Sequence, residues 1–216
     1  MKKNIDLSLY FIADQALAHG RHLETIVNQA ILGGVSAIQV RGKELSSREL
    51  TELARRIMSV GSKHGIPVII NDRVDVALAV NAQGVHLGQD DIPLLAARKI
   101  LGTRKIIGIS VHTIEEARKA EMGGADYAGV GTVFRTSSKK NIRGLIGIGG
   151  LSRLRSAVKI PVVAIGGIDA ANARRIMETG VDGIAVLSAI MNSGDPKRTC
   201  KQITRIIRSA NKTPST

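Results

Sequence analysis

The chain has 216 residues, 44% of them hydrophobic but only 2% aromatic, and a formal charge of +13. That length can hold one large core or two small ones, and a core so poor in aromatics must be packed from branched aliphatics, as in parallel sheets covered on both faces. No stretch is long and apolar enough to span a bilayer, and the single cysteine, Cys200, excludes an internal disulfide and a cysteine-based zinc cluster.

The basic start, Met1-Lys2-Lys3-Asn4-Ile5-Asp6, is not followed by a sustained apolar region with a small-residue cleavage site, so a cytoplasmic location is expected. The excess charge has three readings: nucleic acid, a solvated face of the last helix, or steering of a polyanionic small substrate. Tyr10, Phe11, Tyr127 and Phe134 are the only aromatics, too few for a single-strand stacking platform, which disfavours nucleic acid.

Taken in order, residues 7–12 read as a strand and 23–32 as an amphipathic helix closed by Gly33-Gly34. A second strand, 37–41, leads to a helix that Ser46 and Glu49 open as a capping box and that runs to about Lys63. Strands at 67–70 and 84–87 flank a short helix at 74–80. A helix at 93–101 follows, with proline in its first turn. The strand at 105–109 precedes a helix that Thr113 and Glu116 open as a second capping box. After a strand at 127–130, residues 131–147 show no periodicity, and irregular connections of that length are often functional. A helix at 151–158, a strand at 161–165, a helix at 171–178 and a strand at 183–187 complete the pattern. Asp195-Pro196 then starts the last helix.

A helix-end glycine followed by a short strand recurs at Gly34-Val35-Ser36, Gly124-Ala125-Asp126 and Gly180-Val181-Asp182. Eight strand–helix units with no leftover segment close most simply into a single-domain (β/α)8 TIM barrel over residues 1–216, with 210–216 expected to form a flexible tail. A doubly wound open sheet is the alternative, but the Gly-x-Gly-x-x-Gly fingerprint is absent after the first strand.

Such barrels carry their active sites at the C-terminal ends of the strands. Here those ends hold Gln39, Arg41 and Lys43; Asn71 and Asp72; Gln89 and Asp91; Ser110 and His112; Thr136, Ser138 and Lys139; Gly166-Gly167; and Ser188. Asp72 and Asp91 follow successive strands and, as hard oxygen ligands, suit Mg²⁺. The competing reading makes them helix N-caps, since aspartate is common there. Asp90 and Asp75 compete as ligands, although Asp75 falls in a first helical turn, where the dipole alone favours an acid. Arg41 and Lys43 lie two apart on an extended stretch and suit a pyrophosphate, against plain solvent exposure as the alternative. Gly166-Gly167 and the residues around Ser188 suit a phosphate, where glycines let backbone N–H groups approach oxygens closely. Thr136, Ser138 and Lys139 suit closure over a phosphorylated ligand, or are simply an exposed polar loop. His86 and His112 read as structural.

The succession Gln39-Val40-Arg41-Gly42-Lys43, Asn71-Asp72, Gly84-Val85-His86-Leu87-Gly88-Gln89-Asp90-Asp91, Ser110-Val111-His112-Thr113, Gly124-Ala125-Asp126-Tyr127 and Ile165-Gly166-Gly167-Ile168 resembles the thiamine-phosphate synthase family across essentially the whole chain. The resemblance implies a barrel that joins hydroxymethylpyrimidine diphosphate to a thiazole phosphate and releases pyrophosphate. It makes Asp72 and Asp91 the ligands of one Mg²⁺ per subunit. It places Gln39, Val40, Arg41, Gly42, Lys43, Asn71, Ser110 and Lys139 around the pyrimidine diphosphate, with Arg41, Lys43, Ser110 and Lys139 catalytic. Thr136, Ser137, Ser138, Gly167, Leu187 and Ser188 fall to the thiazole phosphate. The family tends to read Gly-Pro-(Ile/Val)-(Tyr/Phe)-Pro-Thr-x-Thr-Lys where this chain reads Gly131-Thr132-Val133-Phe134-Arg135-Thr136-Ser137-Ser138-Lys139, so both prolines are gone and the loop gains freedom.

With no Cys, Ser–His or Lys nucleophile constellation expected, catalysis would come from metal and cations on the leaving pyrophosphate. The partners expected are phosphorylated small molecules, with no membrane, and a homo-oligomer is compatible with the sequence. The rival readings are a related thiazole tautomerase, which resembles this chain at Val133-Phe134 and Ile184-Ala185-Val186 but needs no diphosphate site, and a basic nucleic-acid-binding protein.

Overall fold

In a computed structural model of the chain, which describes residues 5–136 and 144–210, eight short strands alternate with helices. The strands are β1 (Leu9–Asp14), β2 (Ala37–Arg41), β3 (Val68–Asn71), β4 (Gly84–Leu87), β5 (Ile106–Val111), β6 (Tyr127–Val130), β7 (Val162–Ile165) and β8 (Gly183–Val186). They run parallel, pair in sequence order and close β8 onto β1, so the expected barrel is the fold observed. The helices are α1 (Leu23–Leu32), α2 (Ser47–Lys63), α3 (Val74–Ala79), α4 (Leu94–Leu101), α5 (Ile114–Met122), α6 (Gly147–Ser156), α7 (Ala173–Met177), α8 (Ser188–Met191) and α9 (Pro196–Ala210). Among the described residues no helix is long and apolar enough to cross a membrane.

Alternation along each strand builds two separate cores. Leu9, Phe11 and Ala13 face the helices with Ile38, Val40, Ile70 and Val85, whereas Tyr10 and Ile12 face inward with Ile69, Ile106, Tyr127 and Val163. The inner layer holds two large phenols only because facing positions are bare. A Cβ on Gly108 would lie 2.0 Å from Tyr127 Cζ, and one on Gly129 would lie 2.8 Å from His86 Cε1.

Several boundaries differ from the sequence expectation. β1 begins later and runs on to Asp14, whose side chain then accepts Ala16 N–H in a 3-10 turn, Gln15–Leu17. α6 starts at Gly147, earlier than 151, and the short α8 intervenes before the last helix. Ser46 and Glu49 form the full reciprocal capping box. Thr113 accepts Glu116 N–H, but the Glu116 carboxylate turns to His112 N–H at 2.7 Å, so the second box is only half made. Ala210 ends α9 rather than opening a tail, and 211–216 lie outside the described residues.

The recurrent helix-end spacing proves to be a fourfold device at the N-terminal end of the barrel. Ser36, Gln83, Asp126 and Asp182 each precede an even-numbered strand. Their side chains accept the N–H of Leu9, Val68, Ile107 and Val162 at 3.1, 2.9, 2.7 and 2.8 Å. Each also donates its own N–H to the carbonyl of that same residue, so a residue at the start of every odd-numbered strand, the first in β1, β3 and β7 and the second in β5, has both backbone groups satisfied. Two residues earlier stand Gly34, Asn81, Gly124 and Gly180, all with positive φ. Asn81 hides the fourth copy from a search for glycine, because asparagine tolerates the left-handed region. Asp126 also binds Arg98 at 2.6 Å. Asp126→Ala is therefore expected to lower unfolding free energy by about 2 kcal/mol in urea, and Asp126→Asn by about half of that, since each removes a charge-assisted partner. The rim chemistry at the opposite end should be unaffected in both.

Candidate active site

At the C-terminal rim the two aspartates are brought together by different local devices. Asp72 follows β3 with φ 61°, and its N–H donates to His86 O of β4 at 2.9 Å. Asp91 closes a tight turn in which Gly88 N–H donates to its Oδ2 at 2.6 Å. The carboxyls come within hydrogen-bonding reach of each other. Burial, and then the Asp91 carboxyl beside it, push the Asp72 pKa from 3.8 up to about 6, while Lys43, 3.5 Å away, works in the opposite direction. Neither acid caps a helix: the N-cap positions of α3 and α4 belong to Arg73 and Pro93. Asp75 is turned to Arg73 and Asp90 is exposed. Among the described residues no third His, Cys, Asp or Glu joins the pair. Two facing carboxylates without further protein ligands suit a hard cation whose shell is completed by water and substrate phosphate.

Beside them, Arg41 at the end of β2 forms an ion pair with Asp14 at the end of β1, where the strands are in register. Asp14 is buried and Arg41 is 21% exposed, so the carboxylate fixes one edge of the guanidinium and leaves the rest toward the rim. Lys43 is half exposed, with only Asp72 as a salt-bridge partner among the described residues.

Beneath this cluster lies a cavity of about 530 Å³, mouth included, lined by Gln39, Arg41, Asn71, Ser110, Tyr10 and Tyr127 among others. Gln39, buried inside β2, donates from Nε2 to Tyr10 OH at 2.9 Å. His86 lies 2.9 Å from both Tyr127 OH and Ser110 Oγ. The structural role expected for His86 holds, but the absence of any Ser–His pair does not. The group behind this histidine is a phenol rather than a carboxylate, so the pair lacks the acid that orients a catalytic base in hydrolytic triads. Val40 packs wholly into the outer core, which leaves only its backbone for a ligand, and Gly42 sits at the bend after β2. Gln89 reaches Ser110 O at 2.6 Å.

A second cavity of about 420 Å³ is lined by Thr132, Thr136, Gly166, Gly167, Leu187 and Ser188, and shares Ile165, Ala185 and Leu187 with the first. Gly167 has φ 65°, and a Cβ there would meet Arg135 O at 2.5 Å. Its carbonyl is engaged by Asn172 Nδ2 at 2.8 Å, while Phe134 N–H binds Gly166 O at 3.0 Å, so the loops after β6 and β7 brace each other. Ser188 opens α8, the short extra helix that often completes a phosphate site in this position of a barrel. Ser137, Ser138 and Lys139 lie outside the described residues.

Sequence reasoning missed Tyr10, Asp14 and Tyr127. A signal existed for two of them: the chain has four aromatic residues, and two meet inside the barrel with ring centroids 5.9 Å apart. Asp14 was lost because the first strand was ended at residue 12; continued by one more step of period two, Tyr10-Ile12-Asp14 share the inner face.

The profile of the thiamine monophosphate synthase family matches residues 9–190. The chain belongs to the thiamine-phosphate synthase family. It is 48% identical over 202 residues to the thiamine-phosphate synthase of Clostridium tetani, covering 94% of this chain and 96% of that one. Against the Clostridium novyi thiamine-phosphate synthase it is 48% identical over 203 residues, covering 94% and 100%. The thiamine phosphate pyrophosphorylase of Pyrococcus furiosus superposes with a TM-score of 0.87 at 42% identity, covering 95% of this chain and 97% of that one. Membership of this family makes the chain a transferase of thiamine biosynthesis.

Proposed function

We propose that the barrel joins 4-amino-2-methyl-5-hydroxymethylpyrimidine diphosphate to 4-methyl-5-(2-phosphoethyl)thiazole, or its carboxylated form, in two abutting cavities below one ionic cluster. The observation that supports this reading is the wall of Ile165, Ala185 and Leu187 shared by the two cavities, across which two organic rings would lie side by side, with Arg41, Lys43, Asp72 and Asp91 at the rim of the first.

Gln39 and Ser110 hold the pyrimidine, with the backbone of Val40 and Gly42 and the Asn71 side chain beside it. Arg41 and Lys43 take the diphosphate. Thr136, Gly167, Leu187 and Ser188, joined by Ser137 and Ser138, take the thiazole phosphate, and Lys139 completes the diphosphate side. Mg²⁺, one ion per subunit on Asp72 and Asp91, would neutralise the diphosphate and favour its departure. The bond between the pyrimidine methylene carbon and the diphosphate oxygen breaks, and its electron pair leaves on pyrophosphate. The lone pair of the thiazole nitrogen forms the new C–N bond; with the carboxylated thiazole the bond from the ring carbon to its carboxylate also breaks, CO₂ leaves and a proton takes its place on that carbon. Arg41 and Lys43 stabilise charge on the departing oxygen, and the shared wall supplies alignment. A tautomerase acting on the thiazole alone would not need the cations and carboxylates on the first cavity. Incubating the protein with both phosphorylated halves and Mg²⁺ should yield thiamine phosphate and an equal amount of pyrophosphate. Conversion of the thiazole phosphate alone, with no condensed product, would refute the proposal.

The raised carboxyl gives a separate expectation. With its pKa at about 6 instead of 3.8, folded Asp72 holds a proton that the unfolded chain has already lost. The metal-free fold therefore loses stability as pH rises from about 4 to 6 and remains weakened above that. Asp72→Asn abolishes this term, so its Tm should exceed that of the wild type at pH 7.5 and the gap should close near pH 4. An equal gap at both pH values would contradict it.

A further inference from the structure

Five side chains from five strands make one continuous line across the barrel floor. Gln39 Nε2 donates to Tyr10 OH at 2.9 Å, Tyr10 OH lies 3.0 Å from Tyr127 OH, Tyr127 OH 2.9 Å from His86 Nδ1, and His86 Nε2 2.9 Å from Ser110 Oγ. We propose that Tyr10, Tyr127 and His86 are positioning residues that polarise this line in one direction, presenting Gln39 to the substrate as an acceptor and Ser110 as a donor, and so select an aminopyrimidine over its oxo counterpart. The proposal rests on the reading that the pyrimidine occupies the first cavity.

The direction follows from counting protons. Each hydroxyl has one to give. Tyr10 oxygen already accepts from Gln39, so its proton goes to Tyr127, and the Tyr127 proton goes to His86 Nδ1. A neutral imidazole that accepts at Nδ1 carries its proton on Nε2 and donates to Ser110. The Ser110 proton is then left for the cavity. Run the other way, Tyr127 would donate to Tyr10, and the Tyr10 proton would need the Gln39 amide turned to offer Oε1; with Nε2 on Tyr10, as it stands, that proton has no acceptor deep in the barrel, a buried orphan that costs about 1–3 kcal/mol. Burial raises both phenols above their ordinary range, so neither gives up its proton at neutral pH. The same direction makes His86 a donor to Ser110, not a base that activates it.

At the other end, using Nε2 on Tyr10 fixes which way the Gln39 amide faces. Among the described residues no side chain or backbone group is recorded on Gln39 Oε1, and Gln39 lines the cavity. An exocyclic amino group meets that oxygen as a donor, whereas an oxo group meets it with two acceptors opposed. The chain also makes room for this line rather than tolerating it. Side chains at Gly108 and Gly129 would collide with Tyr127 and His86.

The test compares kcat/KM for the aminopyrimidine diphosphate and for its oxo analogue in wild type, Tyr10→Phe and Gln39→Ala. The wild type should favour the amino substrate by about 10³-fold or more, as sites that hydrogen-bond a substrate group do. Tyr10→Phe frees the Gln39 amide to turn, and should shrink that ratio at least about tenfold, with loss on the amino substrate and gain on the oxo analogue. Tyr127→Phe should act in the same direction, because the Tyr10 proton then turns to the Gln39 oxygen; it carries the test where Tyr10→Phe does not fold. A ratio that collapses in Gln39→Ala but is unchanged in both tyrosine variants overturns the relay and leaves the pyrimidine site standing. A ratio unchanged in all three overturns both.

Discussion

Asp91→Ala should lower kcat/KM for the condensation by about 10³-fold or more, while the metal-free protein unfolds at the same temperature as wild type or slightly above it. The activity loss follows from halving the carboxylate pair that would hold the cation; removal of even one neutral donor to a developing anion costs about 10²–10³-fold, and a divalent charge acts more strongly. The stability outcome balances two terms. The variant loses the acceptor for Gly88 N–H, held at 2.6 Å, but relieves the pressure that Asp91 places on Asp72. Asp91→Asn separates the two, because the amide oxygen keeps the turn bond while the charge is gone. Near-wild-type turnover in Asp91→Asn, with loss only in Asp91→Ala, would assign Asp91 to shaping the turn and remove it from the ion site.

Arg41→Ala should be damaging twice over. Asp14 is buried, and stripping its cation leaves an uncompensated charge, which costs about 3–5 kcal/mol at a fully buried pair and less here because Arg41 is partly exposed. Arg41→Lys restores the charge but not the fork. It should recover most of the stability yet remain about 100-fold down in kcat/KM, since a point charge cannot bind Asp14 and an oxyanion along two edges at once. The discriminating measurement is chemical denaturation beside steady-state kinetics on both variants. Full activity in Arg41→Lys would mean that only net charge matters at this position.

How much of this was readable in the chain varies with the physics involved. The barrel was legible because short strands and helix-end turns repeat: Ala37-Ile38-Gln39-Val40-Arg41 and Gly183-Ile184-Ala185-Val186 are short runs buried almost throughout, as parallel strands covered on both faces are. The aspartate pair was legible only as a choice between ligand and cap, since a sequence shows adjacency along the chain but not the left-handed turn at Asp72 that aims its carboxyl at Asp91. The inner relay was hidden for a different reason. Tyr10, His86 and Tyr127 lie on three strands far apart in sequence and become neighbours only when β8 closes on β1. Each alone reads as a core residue. Asp14 was missed through a boundary, as strand ends are set by side-chain partners such as Arg41 that local pattern does not reveal.

The claim on which the rest depends is that Asp72 and Asp91 hold the divalent ion for the diphosphate. Electron paramagnetic resonance of free Mn²⁺, titrated with protein in the presence of inorganic pyrophosphate, reads that directly. The account predicts one bound ion per wild-type chain and its loss in both Asp72→Ala and Asp91→Ala, each shown to be folded. Wild-type stoichiometry and affinity in either variant would contradict it.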